Sequence, residues 1–152
     1  MSDKEKDFKS LGKNVHSYEF NYDSSCLDAI SKDFDYEPLI KINAPEFTCL
    51  CPVTGQPDFA TVCINYIPNK HIVESKSLKL YLFSFRNVGI FHEDFVQKVL
   101  NDLIKLLDPL YIEVIGKFNP RGGIDIAPFA NYAKSGSKYI DLVEKRKFNY
   151  LF

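Results

Sequence analysis

The sequence lacks tryptophan and carries a net charge of only −1 at pH 7. The small charge excludes a broad basic surface for nucleic acid, so we expect no direct nucleic-acid partner. No apolar run reaches the ~20 residues of a membrane-spanning helix, and we expect no membrane partner. No Gly-x-Gly-x-x-Gly follows a predicted strand, which excludes the usual dinucleotide-binding βαβ unit. The charged first residues also lack the apolar core of a signal peptide.

The composition is ordinary for one globular domain. The chain has 152 residues, of which 45% are hydrophobic, and this length is enough to bury a sizeable core. Four cysteines without an export signal favour reduced thiols and a cytoplasmic location. We expect residues 1–14, which are lysine-rich and lack periodicity, to form a mobile tail, and residues 15–152 to form a single domain.

Hydrophobic patterning predicts four strands and two helices. The strands are expected at 39–42, 59–67, 111–118 and 123–127, with a Pro-Gly turn joining the last two. Helices are expected at 74–87, with Ser75 as the N-cap, and at 91–107. Residues 74–87 also fit the alternation of a strand, and 137–152 fit either a short helix or a tail.

The predicted order is ββααββ. Four antiparallel strands with helices on one face make an α+β domain. Such a sheet leaves two edges whose backbone groups are unpaired. Because pairing copies of the sheet in a ring removes those edges, we expect oligomerisation to join the sheets into a barrel, and hence a cyclic homo-oligomer.

The stretch FTCLCPVTGQPDFA places Cys51 and Asp58 on either side of a predicted loop. Pro52 and Pro57 exclude a continuous helix, and Gly55 permits a tight bend that can bring the carboxyl group near the thiol. A nucleophile with a nearby acid is the minimum equipment for covalent addition chemistry. The alternative is that Cys51 is simply a small buried apolar side chain.

Three charged groups have a simple interpretation, and for two of them a binding role is the alternative. Lys76 and Lys79 would share one helix face, which is either solvated or a binding surface. Arg121 lies in a turn with two glycines and is either a solvated turn residue or a ligand for phosphate. Glu93 and Asp94, in the first turn of the second helix, fit the simple role of offsetting the helix macrodipole.

Taken together, the motifs resemble those of a known family. LCPVTGQPDFA, VESKSLKLYLFSFRN, FHEDF, NDLIKLLDP and FNPRGGIDI occur in the order found in the short-form NADPH-dependent 7-cyano-7-deazaguanine reductases, over about residues 35–140. These are nitrile reductases of queuosine biosynthesis with a tunnelling fold. The resemblance implies NADPH as cofactor, four-electron reduction of the nitrile to 7-aminomethyl-7-deazaguanine, and two stacked pentameric rings.

The resemblance also implies roles for individual residues. Cys51 would add to the nitrile carbon to form a thioimide, Asp58 would protonate the nitrogen, and His92 would hydrogen-bond the substrate or assist proton transfer. The implied substrate contacts are Val73, Glu74, Ser75, His92 and Glu93. The implied contacts to the NADPH phosphates are Lys76, Lys79 and Arg121.

Elementary chemistry agrees with these roles. A thiolate is a strong nucleophile toward the electrophilic nitrile carbon. A half-reduced imine would hydrolyse in water, so the pocket must exclude solvent. A carboxylate such as Glu93 can accept hydrogen bonds from both N1–H and the 2-amino group of a guanine-like base.

Two rival interpretations stay open. The first is a metal-dependent purine or pterin cyclohydrolase of the same fold, with zinc ligands among Cys49, Cys51, His71 and His92. Because Cys-x-Cys spacing is unusual for zinc and the histidines are scattered, we expect no metal site. The second rival is a non-catalytic binder of purine-like bases, in which Cys51 is merely buried.

Overall fold

The computed structural model describes residues 21–150, and the predicted tail at 1–14 lies outside this range. The assignment of 15–152 to a single domain stays a prediction. The described elements are a 3₁₀ helix (Ser24–Cys26), β1 (Ala29–Ser31), β2 (Ile40–Leu50), β3 (Pro57–Ile67), β4 (His71–Val73), α1 (Ser75–Phe83), α2 (His92–Leu107), β5 (Tyr111–Phe118), β6 (Phe129–Ala133) and α3 (Ile140–Tyr150).

The main sheet has four antiparallel strands in the order β2-β3-β5-β6. The β2–β3 ladder runs from Ile40 opposite Tyr66 to Leu50 opposite Pro57. A second, small sheet pairs β1 with β4. The main sheet and the two helices between its strand pairs confirm the predicted α+β class and the ββααββ order.

The first strand is longer than the predicted 39–42. It continues through Pro45 to Leu50, and its register with β3 shifts between Ala44 and Phe47. Proline cannot donate to a ladder, so within sheets it is confined to edge strands and bulges. Here Pro45 satisfies both conditions, since β2 is an edge strand and Pro45 lies within the register shift.

The predicted strand at 123–127 is wrong, because the last strand of the sheet is β6. The backbone at Gly122 and Gly123 has φ of 59° and 81°, which makes a tight turn in which Arg121 pairs with Ile124. Residues 125–128 then run irregularly beside β5, and Pro128 has no N–H to offer a ladder. Alternating hydrophobicity in GIDIA therefore reflects an exposed loop rather than a half-buried strand.

Helix α1 begins at the predicted place but with a different cap. The carboxylate of Glu74 accepts hydrogen bonds from the N–H groups of Lys76 and Ser77, so Glu74 is the N-cap and Ser75 is the first helical residue. The helix ends at Phe83, and residues 84–87 form turns. Helix α2 agrees with its prediction to within one residue.

The core lies between the sheet and the two helices α1 and α2. Alternate residues of the central strands, such as Ile64 and Val114, pack there against Phe95 and Val99. The intervening residues of the same strands point to the other face of the sheet, and α3 covers one end of that face. The α3 side chain Arg146 forms a two-point ion pair with the buried carboxylate of Glu113.

Candidate active site

The Cys51 loop is closed by its own backbone. The Cys51 N–H donates to the Gln56 carbonyl oxygen at 2.8 Å, and the Gly55 N–H donates to the Cys51 carbonyl oxygen at 2.9 Å. Gly55 has φ of 69°, a value that favours glycine. Asp58 lies on the neighbouring strand opposite Cys49, and both Cys51 and Asp58 are buried. The predicted fold-back between the two strands is therefore confirmed.

Arg121 forms an ion pair with Asp58. Its Nε lies 3.0 Å from Oδ1 of Asp58, and the guanidinium is one of the groups that lower the pKa of the Cys51 thiol. The pairing of Ala60 with Phe118 brings the end of β5 beside the start of β3, and the Asn119 N–H donates to the Phe59 carbonyl oxygen at 2.8 Å. The loop after β5 thus places the guanidinium of Arg121 beside the start of β3 and the loop that precedes it.

His92 borders the same carboxylate from the first turn of α2. Its Nε2 lies 3.2 Å from Oδ2 of Asp58, and its ring stacks on Phe118 with centroids 3.7 Å apart. Within residues 21–150, neither this oxygen nor either ring nitrogen has a hydrogen-bond partner of good geometry. Because a buried polar atom without a partner costs ~1–3 kcal/mol, these atoms mark a place where a polar ligand would bind.

The two neighbouring thiols have opposite electrostatic environments. Hydrogen bonds from the Thr54 side chain, from the Thr54 and Val53 N–H groups and from Arg121 lower the pKa of Cys51 to about 6. Burial raises the pKa of Cys49 to about 12. At neutral pH Cys51 is therefore a thiolate and Cys49 is a neutral thiol.

Other predicted substrate contacts lie at the opposite end of the sheet. The N–H of Val73 donates to the hydroxyl of Tyr66 at 3.1 Å. Tyr66 follows Asp58 by eight positions on β3, which at the rise of a strand corresponds to about 26 Å. Within one chain, Val73, Glu74 and Ser75 are therefore not brought to Cys51. Glu93, by contrast, is exposed beside His92 at the active end.

The predicted cofactor residues are likewise not gathered in one place. Arg121 lies on Asp58, whereas Lys76 and Lys79 belong to α1. Lys79 and Arg86 lie at a cleft of about 310 Å³ between β2 and α1. The other residues that line this cleft are Ala44, Pro45, Glu46, Phe47, Thr48, Leu82 and Phe83.

Sequence reasoning missed three residues that matter to this geometry. Thr54 helps to lower the pKa of the Cys51 thiol, Phe118 stacks on His92, and Arg86 adds a second cation to the cleft. A hydroxyl in the turn after a cysteine was the available signal for Thr54. Nothing in the sequence marked the other two residues, since their positions follow from strand pairing and helix packing.

The ligands of the rival zinc site are dispersed. His71 lies on β4 opposite Ser31, in the small sheet, whereas Cys51 lies at the far end of the main sheet. Between residues 21 and 150, no three or more His, Cys, Asp or Glu side chains group so that they could hold a metal ion. In the same part of the chain, no helix combines the length and apolar character needed to span a bilayer.

Comparisons with known proteins agree with the resemblance in the sequence. The profile of the family described as "QueF-like protein" matches residues 57–137. The NADPH-dependent 7-cyano-7-deazaguanine reductases of Staphylococcus epidermidis (strain RP62A) and Staphylococcus aureus (strain MRSA252) are each 54% identical over 151 residues. Each alignment covers 99% of this chain and 91% of the relative.

A solved structure, that of the archaeosine synthase QueF-Like in the apo form, has a similar fold. Its TM-score is 0.57 at 22% identity, and the match covers 61% of this chain and 91% of the other. The fold and the site define an α+β enzyme of the tunnelling-fold type with an ionised cysteine between two strands. The chain belongs to the QueF-like family, among the NADPH-dependent 7-cyano-7-deazaguanine reductases.

Proposed function

We propose that this chain uses NADPH to reduce the nitrile of 7-cyano-7-deazaguanine to an aminomethyl group, through a thioimide on Cys51. The observation that carries this proposal is the ion pair between Arg121 and the buried Asp58 at the Cys51 loop, where the pKa of the thiol is lowered to about 6. The reaction belongs to tRNA queuosine biosynthesis and acts on the free base, which agrees with the small net charge of −1.

Cys51 and Asp58 carry the first step. The sulfur of Cys51 forms a bond to the nitrile carbon, one π-bond electron pair moves to the nitrogen, and the proton that the thiol gives up passes through Asp58 to that nitrogen. NADPH, when bound, would supply one hydride to the thioimide carbon and, in a second round, one hydride to the imine carbon, whose nitrogen then takes up a proton to give the amine. Between these events the C–S bond breaks and Cys51 is a thiolate again, so the nucleophile is regenerated.

His92 and Glu93 orient the substrate. Nε2 of His92 lies 3.2 Å from Oδ2 of Asp58, and neither ring nitrogen has a hydrogen-bond partner in residues 21–150, so His92 both bonds the substrate and assists the proton transfer. Glu93 lies one residue away, exposed on the first turn of α2, and accepts hydrogen bonds from the N1–H and 2-amino groups of the base.

The cleft beside β2 suits the phosphate-bearing half of NADPH. Lys79 and Arg86 offer two cations, and Phe83 and Leu82 offer an apolar wall for a flat base. Lys76, three positions before Lys79 on α1, extends the same basic face. This site needs no βαβ unit.

A second copy of the chain completes the site. Val73 is hydrogen-bonded to Tyr66, which lies about 26 Å along β3 from Asp58, so a neighbouring subunit would supply Val73, Glu74 and Ser75 to each Cys51. The edge strands β2 and β6 offer backbone groups for pairing into the expected barrel of two stacked pentameric rings. Exposed apolar residues around the site, which a partner would cover, are Val53, Phe59, Phe91, Ile124 and Ile126.

The cytoplasm is the compartment that suits this chemistry, because its reducing conditions keep a reactive thiolate from forming a disulfide. The test of the function is the stoichiometry of NADPH oxidation with 7-cyano-7-deazaguanine in metal-free buffer. Two NADPH consumed per nitrile, with the aminomethyl product identified by mass spectrometry, is the expected result. Binding of the nitrile without NADPH oxidation would contradict the proposal.

A further inference from the structure

We infer that Phe118 is a positioning residue for the proposed reaction, because its ring fixes the plane of the His92 imidazole and leaves both ring nitrogens free for Asp58 and the substrate. Gly116 shares this role, since it provides the space that the Phe118 ring occupies. The inference rests on the proposed function for the part that His92 plays in proton transfer. It goes beyond that function by naming what orients His92.

His92 is oriented by a ring contact rather than by a hydrogen bond. A functional imidazole is usually held by a hydrogen bond to one of its nitrogens. Within residues 21–150, Nδ1 and Nε2 of His92 are buried and lack a hydrogen-bond partner of good geometry. The imidazole instead lies flat on Phe118, with an interplanar angle of 7° and centroids 3.7 Å apart. Because the phenylalanine ring has no polar atom, this contact sets the plane of the imidazole without using either nitrogen.

Strand pairing places this contact beside the proposed proton donor. Phe118 is the last residue of β5 and pairs with Ala60 of β3. Asp58 lies two positions before Ala60, so both side chains point to the same face of the sheet. His92, the first residue of α2, lies over that face with Nε2 3.2 Å from Oδ2 of Asp58. Tilting the imidazole out of its plane would carry Nε2 away from this oxygen.

The Phe118 ring is itself held in place. It is buried, and the rings of Phe47 and Phe95 meet it edge to face at interplanar angles of 88° and 89°. Gly116 precedes it by two positions on the same face of β5. A Cβ at position 116 would lie 2.8 Å from Cε2 of Phe118 and 3.0 Å from Cγ2 of Val96. A side chain at 116 would therefore displace the ring on which His92 stacks.

The test is a double-mutant cycle on the full chain, with kcat for NADPH oxidation by 7-cyano-7-deazaguanine as the readout. Phe118→Leu keeps an apolar side chain but removes the flat ring, and we expect kcat to fall by ~10²-fold, the cost of misplacing a reacting group by about 1 Å. His92→Asn removes the imidazole. Because Phe118 acts through His92, adding Phe118→Leu to His92→Asn should lower kcat no further. Losses that multiply in the double variant would overturn the inference.

Phe85→Leu is the matched control. Phe85 is fully buried in the same core, but its described ring contacts include neither His92 nor Phe118. The control should lower stability in a denaturant titration and keep the natural kcat, so equal kcat values for Phe85→Leu and Phe118→Leu would overturn the inference.

Gly116→Ala is a second variant, which removes no ring and carries the test if Phe118→Leu does not fold. By displacing the Phe118 ring it should also lower kcat, and again only while His92 is present. A natural kcat in Gly116→Ala would overturn the role of Gly116. The natural chain tests the proposed function separately: if it oxidises NADPH and Phe118→Leu does so equally well, only the present inference fails.

Discussion

The N–H of Val73 donates a 3.1 Å hydrogen bond to the hydroxyl of Tyr66. This bond holds residues 73–76 at the end of β3 that lies away from Asp58. Cys51 and Asp58 therefore lie at the opposite end of the sheet from the segment that the sequence motifs imply binds the base. Because the proposed reaction needs both groups of residues, two subunits would have to share each active site, and this can be tested.

Variants damaged at different ends should complement each other. We expect Cys51→Ala and Ser75→Tyr each to be inactive alone, the first because it lacks the nucleophile and the second because it blocks the base site. Mixed oligomers, formed by co-expression, would contain some sites with both halves intact and should regain part of the NADPH oxidation. Complete inactivity of the mixed oligomers would show that each chain builds its own site.

Removing the proton donor should spare binding. Asp58→Asn keeps the size of the side chain and an oxygen for Arg121, but it cannot supply the proton. We expect kcat to fall by ~10²–10⁴-fold, the usual contribution of a general acid, with substrate binding retained. Single-turnover and binding measurements separate the two effects, and an unchanged kcat would remove Asp58 from its role.

The two cations of the cleft should act on the cofactor alone. Lys79→Ala and Arg86→Ala are expected to raise the KM for NADPH and leave formation of the Cys51 adduct with the nitrile unchanged, since the cleft lies beside β2 and α1. Lys105→Ala, an exposed lysine near the end of α2, is the matched control. Equal KM values for the cleft variants and the control would place the cofactor phosphates elsewhere.

Glu74 should matter to stability as well as to substrate. Its buried carboxylate caps α1 through the N–H groups of Lys76 and Ser77. Loss of an N-cap costs ~1 kcal/mol, so Glu74→Ala should lower the free energy of unfolding by about that amount. Denaturant titration measures this, with Ser75→Ala as the neighbouring control. If the two variants had equal stability, the cap would contribute nothing.

The sequence predicts a helix or strand correctly where the pattern within that single element determines its structure. The long apolar stripe of α2 and the alternation in β3 and β5 predict those elements because burial on one side imposes their periods. Cys51 and Asp58 were found together because two prolines and one glycine constrain the short loop between them. The motifs also carried the family and its cofactor.

Long-range pairing decided what the sequence did not predict. Arg121 reaches Asp58 only because β5 pairs with β3 in one register, and a turn residue in the sequence carries no sign of that. The last strand was misplaced because GIDIA alternates although it is exposed. The cap of α1 was assigned to Ser75 because serine is a common N-cap, whereas the preceding carboxylate accepts both N–H groups here.

The most direct measurement is intact-protein mass spectrometry of the enzyme mixed with 7-cyano-7-deazaguanine in the absence of NADPH, followed from pH 5 to 9. The lowered pKa of Cys51, about 6, predicts an adduct of the mass of the nitrile that forms readily at neutral pH and more slowly as pH falls below about 6, because the thiolate is then protonated. The adduct should be absent from Cys51→Ala and present in Cys49→Ala, if that variant folds. An adduct that persists in Cys51→Ala, or none in the natural chain at any pH, would contradict covalent catalysis at this sulfur.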